Sequence, residues 1–164
     1  GHDGRMLMVK LALDLMLFLA AFAFMEGFAW VTHRYVMHGF MWVWHKSHHE
    51  PRTGLFELND LFAVVFATPA IVAIYFGVHG TPWLLPVGLG ITAYGLMYFI
   101  FHDGMVHRRF KTPFGKSAFW KRAIQAHRIH HAVHTQHGAV SFGFLWALPV
   151  RELKAQLKAR GVEA

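Results

Sequence analysis

Residues 61–101 contain no Asp, Glu, Lys or Arg, and no other feature of the chain limits its fold as severely. A helix that crosses a bilayer needs about 20 largely apolar residues, so this run is long enough for two. Gly77, Gly80 and Pro82 mark a turn near its middle and predict spans near Leu61–Val78 and 83–101. Pro69 and Pro86 are compatible with that reading, because neighbouring helices in a membrane can re-satisfy freed backbone groups. A soluble bundle would have to bury both helices on all sides, and a chain of 164 residues has too little left over to do it. A third apolar stretch, residues 6 to about 32, is interrupted by Lys10, Asp14 and Glu26. Its length suits a tilted or protruding span, with Lys10 placed to snorkel from one end. The chain opens Gly-His-Asp, so residues 1–5 are expected to be a leftover of expression, leaving a single membrane domain over residues 6–164.

The formal charge of +7 does not point to nucleic acid, because Lys and Arg are spread between apolar stretches and no nucleic-acid motif occurs. The turn at 78–82 has no Lys or Arg, whereas Arg34, Lys46, Arg52, Arg108, Arg109, Lys111, Lys116, Lys121, Arg122 and Arg128 flank the other ends of the spans. The positive-inside rule then puts residues 33–60 and 102–128 on the cytoplasmic side, in a bacterial inner membrane. Residues 139–150 are apolar but short, which predicts an interfacial or re-entrant piece. Residues 151–160 read as an amphipathic helix lying on the same membrane surface.

With no cysteine, any transition metal must be held by nitrogen or oxygen, and the 14 histidines are the supply. Ten of them form four clusters: His33 and His38; His45, His48 and His49; His102 and His107; His127, His130 and His131. Two clusters precede the uncharged run and two follow it, so a hairpin gathers all four at one membrane face. On a helix at about 100° per residue, His45 lies between His48 and His49, and His127 relates likewise to His130 and His131. Adjacent histidines diverge by about that same 100°, so one metal cannot easily take both and two metals side by side can. Ten imidazoles also exceed the usual sphere of about four to six ligands, which favours a dinuclear centre with about five nitrogens per metal. The two His-x4-His pairs sit roughly 140° apart on an ideal helix, so each is expected to straddle a helix end or bulge, with Gly104 helping the second to bend. His2, His79, His134 and His137 fall outside the clusters; His134 and His137 are weaker candidates for supporting them.

Glu26, Glu50, Glu57, Asp60 and Asp103 flank the clusters. Asp60 and Asp103 are the candidates for orienting ligand imidazoles through the second ring nitrogen. Phe40, Trp42, Trp44, Tyr94, Tyr98, Phe142, Phe144 and Trp146 could line a channel or simply pack. A nitrogen-rich, open iron site suits oxygen activation better than the three-ligand arrangement usual for catalytic zinc. The expected fold is therefore all-α, an integral-membrane helical protein with a cytoplasmic-face histidine cluster binding two metals.

The motifs Trp44-His-Lys-Ser-His-His-Glu50, Asn59-Asp60, Phe101-His-Asp-Gly-Met-Val-His107, Ala126-His-Arg-Ile-His-His-Ala132 and Val140-Ser-Phe-Gly-Phe144, with the run from His33 to Gly39, carry a family likeness. Across residues 26–150 the chain resembles the bacterial carotenoid (β-carotene) 3-hydroxylases of the fatty-acid hydroxylase superfamily. The resemblance implies an O2-dependent non-haem di-iron monooxygenase that hydroxylates C3 of carotenoid β-ionone rings. β-Carotene would become zeaxanthin through cryptoxanthin, and canthaxanthin would become astaxanthin. It implies two Fe ions, O2 as co-substrate, and electrons from a reduced ferredoxin-type donor. C4 is allylic and easier to oxidise, so preference for C3 has to come from positioning. The basic run Arg108, Arg109, Lys111, Lys116, Lys121 and Arg122 could steer an acidic donor, or could instead hold lipid headgroups. Lipid desaturation or sterol oxidation by the same metals, and metal binding without redox chemistry, stay open as alternatives.

Overall fold

The computed structural model describes residues 2–162; Gly1 and the last two positions of the expected domain, Glu163 and Ala164, lie outside the described residues. Among these residues the fold is entirely helical: α1 (His2–Val31), α2 (Trp42–His49), α3 (Leu61–Val78), α4 (Leu84–Phe99), α5 (Ala118–His130) and α6 (Val150–Ala159). α1 and α4 each run on without a break into π-helical segments, Thr32–Phe40 and Ile100–Val106, and a single 3-10 turn, Leu58–Asp60, leads into α3. Three helical stretches, His2–Phe40, Leu58–Val78 and Leu84–Val106, are long and apolar enough to cross a membrane, the first of them kinked at Gly39 (φ -109°, ψ -128°). The chain divides into two compact units, one of residues up to Met25 with Ala63–Leu96, the other of Glu26–Phe62 with residues from Met97 onward.

In the first unit large apolar side chains point outward, among them Met8 (71% exposed) on α1 and Val64 and Ile71 on α3. Such a surface is expected of helices whose solvent is lipid. Without a hydrophobic force between them, helices in lipid associate by close backbone packing at small residues. Gly90 of α4 meets α1 so closely that a Cβ there would stand 2.4 Å from the Phe18 carbonyl oxygen. Gly88 meets α3, where a Cβ would be 2.7 Å from the Ile74 side chain. α3 closes with Gly80 at φ +110° and a bond from the Thr81 N–H to the Phe76 carbonyl (2.9 Å). This is a left-handed cap that favours glycine. The uncharged run is thus a helical hairpin, with α4 ending as regular α-helix at Phe99 rather than Phe101. Lys10 does not reach away from its helix; it pairs with Asp14 one turn on, so the two charges offset each other.

The second unit holds all the clustered histidines. Ser117 starts α5 by accepting a hydrogen bond from the Trp120 N–H. α6 lays Leu153 and Leu157, both essentially fully buried, against Ala126, Ile129 and Val133. The tail is amphipathic as expected, but its apolar side is covered by protein, so it is not free to lie on a bilayer. The expected re-entrant piece is an irregular strand of chain, with no helix between 139 and 149.

Burial of α6 generates a direct expectation. Leu157→Ala should cost about 2–5 kcal/mol of stability, as truncation of a buried leucine does, while Lys158→Ala on the exposed side should change it by less than about 0.5 kcal/mol. Thermal unfolding of the detergent-solubilised protein checks both; equal, small effects would return α6 to the membrane surface.

Candidate metal centre

Two backbone devices place the histidines. α2 and α5 carry His45, His48 and His49, and His127, His130 and His131, at ordinary helical spacing. The His-x4-His pairs need something else, because five residues overshoot an α-helical turn. In both cases the backbone widens to i→i+5 hydrogen bonding, seen in His107 N–H to His102 O (2.9 Å) and Met41 N–H to Val36 O (2.9 Å). A π-helical turn stacks residues five apart and recurs at functional sites. It brings the His33 and His38 ring centroids to 5.3 Å and those of His102 and His107 to 4.6 Å. Gly104 serves this differently from the expected bend. A Cβ there would stand 2.6 Å from Thr112 Cγ2, so glycine lets the 110–112 segment close over the π-helix.

All ten clustered histidines meet, divided five and five. His33, His38, His45, His49 and His130 form one group; His48, His102, His107, His127 and His131 form the other, with the ligand-capable atoms of each group within 4.8 Å of one another. Neighbours in sequence part company, His48 from His49 and His130 from His131, as their divergence on a helix requires. Each group could hold one metal ion.

The hydrogen bonds of the first group say which nitrogens are available. The Nδ1–H donates to an oxygen in every case: His33 to Phe142 O (2.9 Å), His38 to Gln136 O (2.9 Å), His45 to Asn59 Oδ1 (2.7 Å), His49 to Val133 O (2.8 Å) and His130 to Val140 O (2.9 Å). Those oxygens only accept, so each Nδ1 carries the ring's proton and each Nε2 presents a bare lone pair. The bare nitrogens face one another: His33 and His45 at 3.1 Å, His38 and His130 at 3.1 Å, His49 and His45 at 3.2 Å, His130 and His49 at 3.2 Å. Lone pair against lone pair is repulsive unless a cation lies between. Protons are poor candidates, because burial holds His45 and His130 well below the ordinary imidazole range and His49 down at about 4. The set fits a metal ion.

In the second group the His48 Nδ1–H donates to Glu57 Oε1 (2.6 Å), and Asp103 Oδ2 lies 3.4 Å from His102 Nδ1. His127 and His131 oppose their Nε2 atoms at 3.0 Å. The buried nitrogens His48 Nε2, His107 Nε2 and His127 Nδ1 have no hydrogen-bond partner, which costs stability unless a further group satisfies them. Burial lowers His107 to about 3 and raises the Glu57 carboxyl to about 7, with the neighbouring Asp60 charge adding to the latter.

Of the two carboxylates singled out from sequence, Asp103 reaches a histidine and Asp60 does not. Asp60 accepts both guanidinium nitrogens of Arg109 (2.7 and 2.9 Å) and caps the Glu57 N–H (3.1 Å). Arg109 in turn donates to Asp103 Oδ1 (2.7 Å), so Asp60 bears on the site through its neighbours. The partners that sequence reasoning missed are Asn59, Glu57 as an acceptor for His48, and four backbone carbonyls. Asn59 is itself held by Ser47, whose Oγ accepts its N–H (3.2 Å). Ser141, at φ +63°, stands between the two carbonyls that turn to His130 and His33. Glu26 anchors the same loop by accepting the N–H groups of Phe144, Leu145 and Trp146 (2.9, 2.9 and 3.0 Å).

The candidate channel aromatics separate into three sets. Phe142, Phe144, Tyr98 and Trp42 touch the histidines; Phe144 lies parallel to His33 at 5.5 Å and Tyr98 to His102 at 4.7 Å. Trp44 packs on Phe62 and Tyr94 on Phe22. Phe40 and Trp146 are exposed. Outside the two groups, His134 donates to the His49 carbonyl (2.8 Å), His137 lends its carbonyl to Thr135, and His79 binds the Tyr75 carbonyl in the hairpin turn.

Comparison with known proteins agrees on one family. A family model described as fatty acid hydroxylase matches residues 18–149. The chain is 51% identical over 139 residues to a beta-carotene hydroxylase of Pantoea ananas, covering 83% of this chain and 78% of that protein. It is 52% identical over 139 residues to a beta-carotene hydroxylase of Pseudescherichia vulneris, at the same coverage. A chloroplastic beta-carotene 3-hydroxylase of Haematococcus lacustris is 44% identical over 119 residues, 66% of this chain and 36% of that protein. No solved structure matches the chain.

Asn59 offers a test that leaves all ten imidazoles in place. Asn59→Leu removes the acceptor that fixes His45 and should weaken metal retention by about 10–100-fold, as loss of such partners does, with helix content unchanged. Competition against a calibrated chelator reads the affinity; unaltered retention would mean that His45 needs no orienting partner.

Proposed function

Because this chain belongs to the fatty acid hydroxylase family, we propose that it is a membrane di-iron monooxygenase that hydroxylates C3 of carotenoid β-ionone rings. β-Carotene passes through cryptoxanthin to zeaxanthin, and canthaxanthin passes to astaxanthin. Each hydroxylation replaces one C–H by C–OH, takes up O2, two electrons and two protons, and releases water. The observation that carries this reading is the convergence of ten imidazoles in two groups of five, with all five Nε2 atoms of the first group left bare by their Nδ1 hydrogen bonds. The proposed ligands are His33, His38, His45, His49 and His130 for one iron, and His48, His102, His107, His127 and His131 for the other. Iron held there supplies the one-electron chemistry by which O2 is activated.

The protein's own contribution is positional. Carbonyl and Asn59 acceptors lock five rings with Nε2 forward, and Glu57 holds the His48 proton at Nδ1. Asp103, held by Arg109 and through it by Asp60, does the same for His102. Near-complete burial of His33, His127 and His130 keeps bulk water from the reacting volume. Phe142 and Phe144 offer apolar faces beside the histidines to a β-ionone ring. The whole span 6–164 acts as one hydroxylase domain, a reading supported by the residues that α1, α3 and α4 contribute to both compact units.

Electrons come from a separate ferredoxin-type donor. In support, the sequence has no cysteine for an iron–sulfur cluster and no nucleotide-binding fingerprint. The metal site faces the cytoplasm across a bacterial inner membrane. The Lys- and Arg-free turn at 78–82, against the many basic residues between 102 and 128, supports that orientation.

Expression in cells that accumulate β-carotene should yield zeaxanthin, and freshly purified protein should hold two metals per chain. His130→Ala should abolish the product, while His79→Ala in the hairpin turn should leave it nearly unchanged. The reverse pattern, or one metal at full loading, would sink the dinuclear assignment. Cysteine labelling in intact cells gives an independent check, with Gly80→Cys reacting from outside and Lys116→Cys protected. Labelling of both from one side would refute the orientation.

A further inference from the structure

A cavity of about 740 Å³ lies beside the segment joining the third and fourth histidine clusters, and its chemistry is unrelated to theirs. Arg108, Lys111, Lys116, Lys121 and Arg128 line it, and no carboxylate does. Arg109 also contributes to the wall, but its charge is met by Asp60 and Asp103. The other five cations have no ion-pair partner among the described residues. Gathering like charges around a concavity is unfavourable by itself and focuses a positive potential there. Arg108 is moreover held at φ +53°, a left-handed conformation uncommon for a side chain of its size. Such strain is characteristic of residues kept in place for a ligand.

Depth indicates which anion belongs there. Gly104 and Met105, in the cavity wall, belong to the last turn of the Leu84–Val106 helix, one of the three long enough to cross a membrane. The cavity therefore lies at the end of a candidate membrane span. Phe110 and Phe114 line it too, and Phe114 is 57% exposed. Aromatic rings and cations together at a span's end are the composition of a membrane interface. A protein partner would instead need a broad face, about 800 Å² on each side for a stable complex. A pocket with basic walls and an aromatic lip suits a headgroup better.

We propose that this cavity is a binding site for the phosphate headgroup of an anionic phospholipid, with the five unpaired cations on its oxygens and Phe110 and Phe114 beside the first carbons of its acyl chains. The full chain, purified in detergent with its metals and incubated with phosphatidylglycerol or phosphatidylcholine, tests this by native mass spectrometry. One phosphatidylglycerol should be retained, about tenfold more than phosphatidylcholine, in keeping with the contribution of each nearby Lys or Arg to anionic-lipid binding. The variant Lys111→Gln/Lys116→Gln/Lys121→Gln should fall to the phosphatidylcholine level with metal content and helicity intact. The charge-matched Arg151→Gln/Lys154→Gln/Lys158→Gln variant on α6 should behave as wild type. Millimolar inorganic phosphate should leave the retained lipid in place. Equal retention of the two lipids by the wild-type protein overturns the proposal without recourse to any variant. So does displacement by free phosphate, which would mark a soluble-anion site. Undiminished lipid retention in the lysine variant, with slower ferredoxin-driven turnover, overturns it in favour of a donor-docking site.

Discussion

A neutral imidazole buried in protein has two nitrogens to satisfy, and the placement of one decides the use of the other. In the first group all five histidines turn Nδ1 toward oxygen acceptors, four of them backbone carbonyls, at 2.7–2.9 Å. The five Nε2 lone pairs are thereby forced together. An unsatisfied buried polar atom costs about 1–3 kcal/mol, and here the cost is concentrated in one small volume where burial also discourages protonation. Ligand binding at such a place is tied to folding, since the same contacts that hold the backbone hold the rings. The loops around the site can be understood as the supply of those acceptors.

That supply explains backbone that would otherwise look costly. Widening α1 and α4 into π-helical turns gives up regular α-helical bonding, yet it is the step that stacks His33 on His38 and His102 on His107. A left-handed Ser141 lets consecutive stretches of one loop send the Val140 carbonyl to His130 and the Phe142 carbonyl to His33. Around the other group the acceptors are carboxylates, and Arg109 bridges Asp60 and Asp103 so that two negative charges can stand close together. Carboxylate acceptors make a ring more electron-rich than carbonyls do, so the two groups are chemically inequivalent despite equal numbers of histidines.

Most of the helical frame could be read from the sequence, because its signals are local. The uncharged run and its Gly-Pro turn define the hairpin, and α3 coincides with Leu61–Val78. Cluster membership and the parting of His48 from His49 follow from helical angles alone. Three things were not legible. The π-helical turns depend on tertiary gain outweighing the ordinary hydrogen-bond ladder, and the His-x4-His spacing shows only that a regular helix fails there. Carbonyl acceptors have no residue signature, so Phe142, Gln136, Val133 and Val140 carry none of the marks that drew notice to Asp60. The covering of α6 by protein is equally invisible, since Leu153 and Leu157 make the same stripe whether they face lipid or Ile129.

Selectivity in the proposed reaction has to be located where the apolar wall of the site is fixed. Phe144 is the best placed, with its ring 5.5 Å from His33, 5.6 Å from His127 and 6.0 Å from His102, so it spans both histidine groups. Its backbone is held by a carboxylate, Glu26, that takes three successive N–H groups. A charged acceptor binds such donors about twice as strongly as a neutral one, and Gly143 leaves room for it, since a Cβ there would crowd Glu26 Oε1 to 3.1 Å. The first helix thus carries an acid at the end of its apolar run for a reason that membrane insertion alone would disfavour. Between an allylic C4 and a less reactive C3, only the distance from each carbon to the metals can favour the latter. Three hydrogen bonds to one carboxylate fix the backbone that carries this wall, and with it the side on which a ring can approach.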